Sequence, residues 1–278
     1  MSYEKAFLLN RMERFFYLGY KTLFNSHSRL VFAFCMHLFE FNNMVIITGT
    51  SRGIGKAIAE NYLSLNEKVI GIGRNHPISH PQYSSIHCDL SIPESVEQIS
   101  FPDLSLEAVV FIHNAGILGT VDYFEKLDST EISRVMQVNL FAGAVILQKL
   151  LRQIPKSQSF KSIFISSGAG KTPIASWASY CASKAAVDLF CQTIQEEEQQ
   201  LGRKNFHCLS VAPGVVDTDM QTFIRNTDEQ AFREVARFKE YKNSNQLFSP
   251  ELVAKKLFKL VHETPLEQVL YSLRDIHL

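Results

Sequence analysis

Three polar side chains near the middle of the chain could together bind and protonate a carbonyl oxygen: Ser167, Tyr180 and Lys184. Tyr180 and Lys184 are four residues apart, so on a helix they share one face, one turn from each other. A free phenol has a pKa of about 10, and a nearby ammonium lowers it by stabilising the phenolate. Ser167 follows a strand-like run at residues 162–165 and would meet the other two if strand and helix are neighbours. The Tyr-Lys pair alone is also common on ordinary helix surfaces.

A glycine-rich turn follows an apolar run at residues 44–48. That run has the character of a buried parallel strand, and residues 56–65 have a helical pattern. Between them, glycines at positions 49, 53 and 55 would allow a tight turn and bring the backbone close to a pyrophosphate, whose charge suits a helix N-terminus. The spacing differs from that of a P-loop. It predicts dinucleotide binding; the alternative is a tight connection with no ligand.

The residue after the second predicted strand, at residues 68–73, bears on the choice between NAD and NADP. Folds that prefer NAD place an acid there to bind the ribose 2′-hydroxyl, but this chain has Arg74. Arg74 and Arg52, which lies in the glycine turn, offer two guanidinium groups that suit a 2′-phosphate. Each could instead be a solvated surface charge. Because two arginines stand at the two relevant places, we predict NADP(H) as the cofactor.

Composition and charge narrow the classes of function. The chain has 278 residues, of which 46% are hydrophobic and 20% charged, and its formal net charge is +0. These values are typical of a globular protein and give no indication of a nucleic-acid partner. Its five cysteines are scattered, without the spacing of a zinc site or a disulfide framework. We expect free thiols in a reducing, cytoplasmic environment, and no metal.

Residues 1–43 have a higher density of aromatic side chains than the rest of the chain. Their longest apolar run, residues 30–38, is interrupted by His37 and is shorter than the roughly 20 residues of a membrane-spanning helix, so we expect no integral span. Three interpretations are open: an amphipathic segment on a membrane surface, a disordered or loosely helical extension, and translation that begins at Met44. We favour the third.

From residue 44 to 278 these motifs, with Asn114-Ala115-Gly116 and Pro213-Gly214 further along, resemble the short-chain dehydrogenase/reductase family in type and order. Within it, residues 166–171 and 212–221 are similar to the sepiapterin reductase-like branch, and most similar to bacterial benzil reductases that form (S)-benzoin. The resemblance implies one α/β domain over residues 44–278. This would be a Rossmann-like, doubly wound, seven-stranded parallel sheet with helices on both faces.

The resemblance also implies cofactor contacts at matching positions. Asp89 and Leu90, after a third short strand at residues 84–87, would cover the adenine. Thr218 would cap a short helix and bond the cofactor. The full implied set is Gly49, Ser51, Arg52, Gly53, Ile54, Gly55, Arg74, Asp89, Leu90, Asn114, Ala115, Gly116, Tyr180, Lys184, Pro213, Gly214, Val216 and Thr218.

The implied catalytic set is Asn139, Ser167, Tyr180 and Lys184. Ser167 would hold the substrate carbonyl, Tyr180 would donate the proton, and Lys184 would lower the pKa of Tyr180 and hold the nicotinamide ribose. Asn139 lies in a helical pattern at residues 129–153, where the family has a kink whose freed carbonyl binds a water relay to Lys184. Alternatively, the Asn139 side chain only bonds a neighbouring carbonyl.

The substrate side of the site is assigned to Ser167, Trp177 and Met220. Trp177 would line an apolar pocket with Met220 and Phe223, or belong to the ordinary core. Residues 218–248 match the position of a lid in the family, although an exposed helical insertion would have the same charged composition.

Two positions depart from the family pattern. His113 replaces the first asparagine of Asn-Asn-Ala-Gly, which we interpret as a tolerated change. Ser272 stands where sepiapterin reductases have an acid that holds the pterin, which leaves general carbonyl reduction intact. We predict an NADPH-dependent reductase of a small-molecule ketone or diketone, forming a homodimer or homotetramer through the helices that carry Asn139 and Tyr180. The alternatives are a non-catalytic dinucleotide sensor and a reductase for another carbonyl, such as an acyl-carrier thioester.

Overall fold

One parallel sheet forms the centre of the part of the chain that the structure describes. This structure, a computed structural model, describes residues 43–104 and 108–278, and its seven strands there have the order β3-β2-β1-β4-β5-β6-β7. The strands are β1 (Asn43–Thr48), β2 (Lys68–Gly73), β3 (Tyr83–His87), β4 (Ala108–His113), β5 (Phe160–Ile165), β6 (Phe206–Ala212) and β7 (Leu270–Ser272). The predicted seven-stranded parallel fold is therefore confirmed. The interpretations of the N-terminal segment concern residues outside the described ranges, except Asn43, which opens β1.

Helices connect the strands and cover both faces of the sheet. In the described residues they are α1 (Gly53–Ser64), α2 (Pro93–Glu97), α3 (Ser129–Met136), α4 (Ala142–Gln153), α5 (Ala178–Gln200), α6 (Asp219–Arg225), α7 (Val235–Asn243) and α8 (Pro250–Glu263). Helices α1 and α8 pack against each other. Helices α2, α4 and α5 share a separate hydrophobic core with β1, β2, β4, β5 and β6.

The interior strand β1 shows why both faces must be covered. Ile46 belongs to the core shared with α4 and α5. Its neighbours Val45 and Ile47 point to the opposite face, because side chains alternate along a strand, and they are also fully buried. A strand that is apolar at every position needs helices on both sides, as parallel sheets in α/β proteins have.

Two helices differ from their predicted extents in ways that affect the site. Helix α1 begins at Gly53 rather than at residue 56, so the glycine turn leads directly into its first turn. The helix predicted over residues 129–153 is α3 and α4 joined by one π-helical turn, Gln137–Phe141. Such turns interrupt the regular hydrogen-bond ladder and occur often at functional sites. Ser249 is the N-cap of α8, and its hydroxyl accepts a hydrogen bond from the Leu252 backbone N–H at 3.1 Å.

Across residues 43–104 and 108–278, no helix combines the length and the apolar character that crossing a membrane would require. The four cysteines in these ranges, Cys88, Cys181, Cys191 and Cys208, are free thiols. Nor do these residues group three or more His, Cys, Asp or Glu side chains in a way that could hold a metal ion.

Candidate active site

A cleft of about 1630 Å³ opens at the carboxyl ends of the strands. Loops after β1, β2, β4, β5 and β6 line it, which is where ligands bind in sheets of this kind. The structure brings together almost every residue that the sequence assigned to cofactor, substrate or catalysis. Only Gly55 and Asn139 of that set do not line the cleft.

The glycine turn is shaped by close backbone contacts. Gly49 and Gly53 have positive φ angles of 75° and 56°, a region that favours glycine. A Cβ atom on Gly55 would lie 2.2 Å from the Gly49 carbonyl oxygen, so Gly55 keeps the helix close to the turn from behind the cleft. The Asn114 side-chain amide donates to the Thr48 and Gly49 carbonyl oxygens at 3.1 and 3.2 Å, which joins this turn to the end of β4.

The first turn of α1 is open to an anion. The side chain of its N-cap residue, Arg52, makes no capping hydrogen bond, so the side chain leaves the first N–H groups of the helix uncapped. These N–H groups and the positive end of the helix dipole suit a phosphate. The tight glycine turn, the uncapped helix and the size of the cleft together fit a dinucleotide.

Two arginines predicted to bind a 2′-phosphate each pair with a different carboxylate. Arg74 Nη1 lies 3.6 Å from Asp89 Oδ2 at the end of the cleft beside β2. Arg52 Nη1 lies 2.7 Å from Asp219 Oδ2, so it connects the glycine turn to the start of α6. Hydrogen bonds from Ser91 lower the pKa of Asp89, burial opposes this effect, and the Arg74 charge lowers it further. Both pairs are exposed enough to exchange for a ligand phosphate at small cost.

Sequence reasoning missed a hydroxyl network under the β2 side of the cleft. The Tyr83 hydroxyl lies 2.8 Å from Thr50 Oγ1 and 3.4 Å from His76 Nδ1. A Cβ atom on Gly71 would meet the Tyr83 hydroxyl at 2.0 Å, so glycine leaves the space that this hydroxyl occupies. Burial raises the pKa of Tyr83, against the effect of the Thr50 hydrogen bond. The network joins the glycine turn to the loop after Arg74.

The Ser167 turn packs directly against the helix that carries Tyr180 and Lys184. Ser167 follows β5 and opens a 3₁₀ turn, Gly168–Gly170, where its hydroxyl accepts a hydrogen bond from the Ala169 N–H at 3.2 Å. A Cβ atom on Gly170 would lie 2.9 Å from the Lys184 backbone, so a larger residue would push the turn away from α5. The Lys184 Nζ lies 5.7 Å from the centre of the Tyr180 ring and donates to the Ile165 carbonyl oxygen at 2.7 Å.

Burial dominates the protonation of the Tyr-Lys pair. It raises the pKa of Tyr180 to about 12, while the Ser167 hydroxyl acts in the opposite direction. It also lowers the pKa of Lys184 to about 8, partly opposed by the Asp188 charge. The predicted lowering of the Tyr180 pKa is therefore wrong in direction, because exclusion of water disfavours the phenolate more than its neighbours stabilise it. The phenol remains protonated at neutral pH and can act as a donor.

Asn139 lies in the π turn and is fully buried behind the cleft. Its side-chain oxygen accepts from the Ile117 N–H at 2.8 Å, and its amide donates to the Ile117 carbonyl and to Ser183 Oγ, each at 2.9 Å. Ser183 Oγ in turn donates to the Tyr180 carbonyl oxygen at 2.7 Å. The Asn139 side chain therefore fixes the loop after β4 against α5. This is similar to the simpler alternative from the sequence, in which the side chain only bonds a neighbouring carbonyl. The predicted water relay at its carbonyl stays a prediction.

His113, interpreted from the sequence as a tolerated change, is buried and makes hydrogen bonds with both ring nitrogens. Thr48 Oγ1 accepts from the backbone N–H groups of the two residues that follow His113, so its own hydrogen is free for His113 Nδ1, 3.1 Å away. This network assigns the remaining proton to Nε2, which donates to the Val138 carbonyl at 3.0 Å. Burial, and secondly the Lys184 charge, lower the pKa of His113 to about 3, so the ring is neutral.

An aromatic cluster forms the wall of the cleft on the side of α6 and α7. Trp177 is stacked on Phe232, with ring centres 5.2 Å apart, and meets the Tyr180 ring edge-on at 5.8 Å. Phe238 completes the cluster, and the partly buried Met220 packs against it. Trp177 both belongs to this core and lines the cleft, so the two interpretations from the sequence hold together.

Residues 218–248 contribute α6 and α7, and their apolar side chains pack against Trp177 while most of their charged residues are exposed. Thr218 occupies the N-cap position of α6, as predicted, but its side chain does not cap the helix. Its hydroxyl instead donates to the Val216 carbonyl at 3.4 Å. The predicted capping hydrogen bond is therefore wrong, because the side chain turns back toward the preceding loop.

Comparison with known proteins now assigns the family. The model of the short chain dehydrogenase family matches residues 43–229. The chain belongs to this family. The benzil reductase ((S)-benzoin forming) of Bacillus cereus is 34% identical over 235 residues, covering 78% of this chain and 93% of that protein. The enzyme of the same name from Bacillus subtilis is 29% identical over 242 residues, covering 84% and 98%.

A solved structure agrees with this assignment. The crystal structure of the KRED1-Pglu enzyme superposes with a TM-score of 0.73 at 29% identity, covering 83% of this chain and all of that one. The family resemblance seen in the sequence is therefore confirmed, and the chain is similar to benzil reductases. As a member of this family it is an oxidoreductase that uses a nicotinamide dinucleotide.

Proposed function

We propose that this short-chain dehydrogenase is an NADPH-dependent carbonyl reductase that acts on a ketone or diketone, with Tyr180 as the proton donor. The observation that carries the proposal is the meeting of Ser167, Tyr180 and Lys184 in the same cleft as the glycine turn. Carbonyl reduction needs a donor for the oxygen, a group that orients the substrate and a bound hydride carrier. This cleft has residues suited to each.

The cofactor would lie along the carboxyl ends of the strands. N–H groups at the start of α1 would bind its diphosphate, and the exposed Arg74 and Arg52 would exchange their carboxylate partners for a 2′-phosphate. The loops at residues 114–116 and 213–218 would contact its other half. When bound, NADPH supplies the hydride that adds to the carbonyl carbon.

The chain's own residues would handle the proton. The Ser167 hydroxyl would donate a hydrogen bond to the substrate carbonyl and orient it beside Tyr180. As negative charge develops on that oxygen, the Tyr180 hydroxyl would give up its proton to it as general acid. The Lys184 ammonium would stabilise the phenolate that results. Asn139, fixed in the π turn, would hold the water that returns a proton to this pair.

The substrate class is inferred from the cleft wall and from the relatives. Trp177, Met220 and the half-exposed Phe223 line the cleft and suit an apolar or aromatic substituent beside the reacting carbonyl. The benzil reductases to which the chain is similar reduce a diketone with two aromatic rings, by their name. Ser272 lines the cleft where an acid would hold a pterin, so we favour a diketone over a pterin.

We also infer that two or four copies assemble through the helices that carry Asn139 and Tyr180. Phe141, in the π turn between α3 and α4, is 53% exposed, and Leu189 on α5 is 65% exposed. Large apolar side chains at such exposure on these helices suit burial against a second copy of the chain.

The direct test is oxidation of NADPH in the presence of benzil, 1-phenyl-1,2-propanedione and sepiapterin, with NADH in parallel. We expect turnover with the diketones, NADPH preferred over NADH, and little turnover with sepiapterin. Binding of NADPH without turnover of any carbonyl would overturn the proposal and favour a dinucleotide-sensing role. Reduction of acyl-carrier thioesters alone would agree with the proposed proton donor but would contradict the proposed substrate class.

A further inference from the structure

A mostly buried carboxylate, that of Asp188, borders the cleft and has no role in the mechanism above. Asp188 lies on α5, one helical turn beyond Lys184, which itself lies one turn beyond Tyr180. Only 8% of Asp188 is exposed. Burying a carboxylate is costly unless it is hydrogen-bonded and its charge is compensated. The groups that donate hydrogen bonds to the Asp188 carboxylate, or compensate its charge, should therefore indicate its role.

Two serine hydroxyls meet the same oxygen of this carboxylate. Ser166 Oγ donates to Asp188 Oδ1 at 2.6 Å, and Ser210 Oγ donates to the same atom at 2.5 Å. Ser166 follows β5 and directly precedes Ser167, whereas Ser210 lies in β6. Two donors on one oxygen match an ionised carboxylate, which has only acceptors. Asp188 thus fastens the strand end that carries Ser167 to the helix that carries Tyr180 and Lys184.

The carboxylate also lies one helical turn from a buried amine, on the same face of α5. Lys184 is 4% exposed, and its ammonium donates to one backbone carbonyl, that of Ile165. The titratable groups that face this amine in the described residues are Tyr180 and Asp188 from α5 and His113 from the end of β4. Tyr180 and His113 are neutral near pH 7, so Asp188 provides the compensating charge. Burial lowers the pKa of Lys184, and the Asp188 charge opposes that effect.

We propose that Asp188 is a positioning residue: it keeps the Lys184 side chain an ammonium in a site that excludes water, and it holds the Ser167 turn against α5. This rests on the proposed function, because Lys184 is useful to Tyr180 only while it is charged. Asp188 borders the cleft, but in this proposal it contacts neither substrate nor cofactor. Its effect would reach the reaction through the charge of Lys184 and the placement of Ser167.

The test is a direct pH titration of Lys184 that needs no turnover. Lysine side chains labelled with ¹³C at Cε are followed by NMR, and Lys184→Met identifies the Lys184 signal. In Asp188→Asn, which keeps an acceptor oxygen for the serines but loses the charge, we expect the Lys184 midpoint at least about one pH unit lower than in the native protein. Glu197→Gln removes an exposed charge from the same helix and serves as the matched control, with no shift expected.

An unchanged Lys184 midpoint in folded Asp188→Asn would overturn the inference. Because the titration needs no catalysis, a native protein that reduces no carbonyl would refute the proposed function without deciding this one. If Asp188→Asn does not fold, the double variant Asp188→Asn/Lys184→Met decides. The double variant folds if the single variant failed through an uncompensated amine, and it fails to fold if Asp188 only serves the two serines, which would overturn the charge role.

Discussion

His113 Nε2 donates a hydrogen bond to the Val138 carbonyl oxygen, 3.0 Å away, and so fastens the end of β4 to the π turn that contains Asn139. The other ring nitrogen meets Thr48 at the end of β1. A neutral imidazole therefore joins the ends of β1 and β4 to the π turn. The asparagine usual at this position in the family has a shorter side chain than histidine. Because both of its ring nitrogens make hydrogen bonds, His113 is a structural part of the site.

Replacing His113 should change how stability depends on pH. With a folded-state pKa of about 3, His113 stays unprotonated in the folded protein while the unfolded chain takes up a proton below about pH 6.5. Stability should therefore fall as the pH drops from about 6.5 toward 3, by at most about 1.4 kcal/mol per pH unit from this residue. In His113→Asn this contribution disappears, so urea unfolding at several pH values should give a shallower acid slope than in the native protein. Parallel slopes would contradict this assignment.

Reductase activity should decline above about pH 8. Lys184, with its pKa lowered to about 8, loses its charge as the pH rises through that value, and the phenolate of Tyr180 then loses its stabilising neighbour. The measurement is kcat/KM for diketone reduction between about pH 6 and pH 10, with NADPH binding followed separately. Activity that is constant across this range while binding is intact would show that the charge of Lys184 is not required.

Cofactor preference should depend on Arg74. Arg74→Ala removes a guanidinium that would bind the 2′-phosphate, so the Kd for NADPH should rise at least about 10-fold while that for NADH changes little, as expected for loss of a charge-assisted hydrogen bond. Fluorescence of the bound reduced nicotinamide measures both. Arg152→Ala, at an exposed arginine of α4, is the matched control. Equal loss of both cofactors would mean that Arg74 acts on the cleft in general.

Assembly should depend on Phe141 and Leu189. Placing a charge on either exposed apolar side chain, by Phe141→Asp or Leu189→Asp, should convert a dimer or tetramer into smaller species in light scattering. Phe124→Asp changes an equally apolar residue that is 65% exposed but lies outside these helices, and should leave the mass unchanged. A native protein that is monomeric would contradict the inference.

The fold could be predicted from the sequence because its signals are local. Apolar runs such as residues 44–48 mark buried strands, and the glycine turn marks the start of α1 in the right place to within three residues. Because the strands are parallel, their carboxyl ends lie at one edge of the sheet, and the predicted site residues that follow them meet there.

What the sequence could not predict depends on neighbours distant in the chain. The spacing of Asp188 from Lys184 was visible, but its partner Ser166 directly follows β5 and its partner Ser210 lies in β6, both far from Asp188 in the chain. The direction of the Tyr180 pKa required the extent of burial, which the Tyr-Lys spacing does not contain. The hydroxyl of Tyr83 reaches Thr50 only because Gly71 has no side chain.

The central claim is that Tyr180 supplies the proton to the substrate oxygen, and Tyr180→Phe tests it most directly. The variant keeps the ring that packs on Trp177 but has no hydroxyl. Turnover of a diketone with NADPH should fall at least ~100-fold, the effect of losing a general acid, while the Kd for NADPH stays within about 2-fold of the native value. Tyr123→Phe, at a residue that does not line the cleft, should keep full activity. Near-native turnover by Tyr180→Phe would contradict the account.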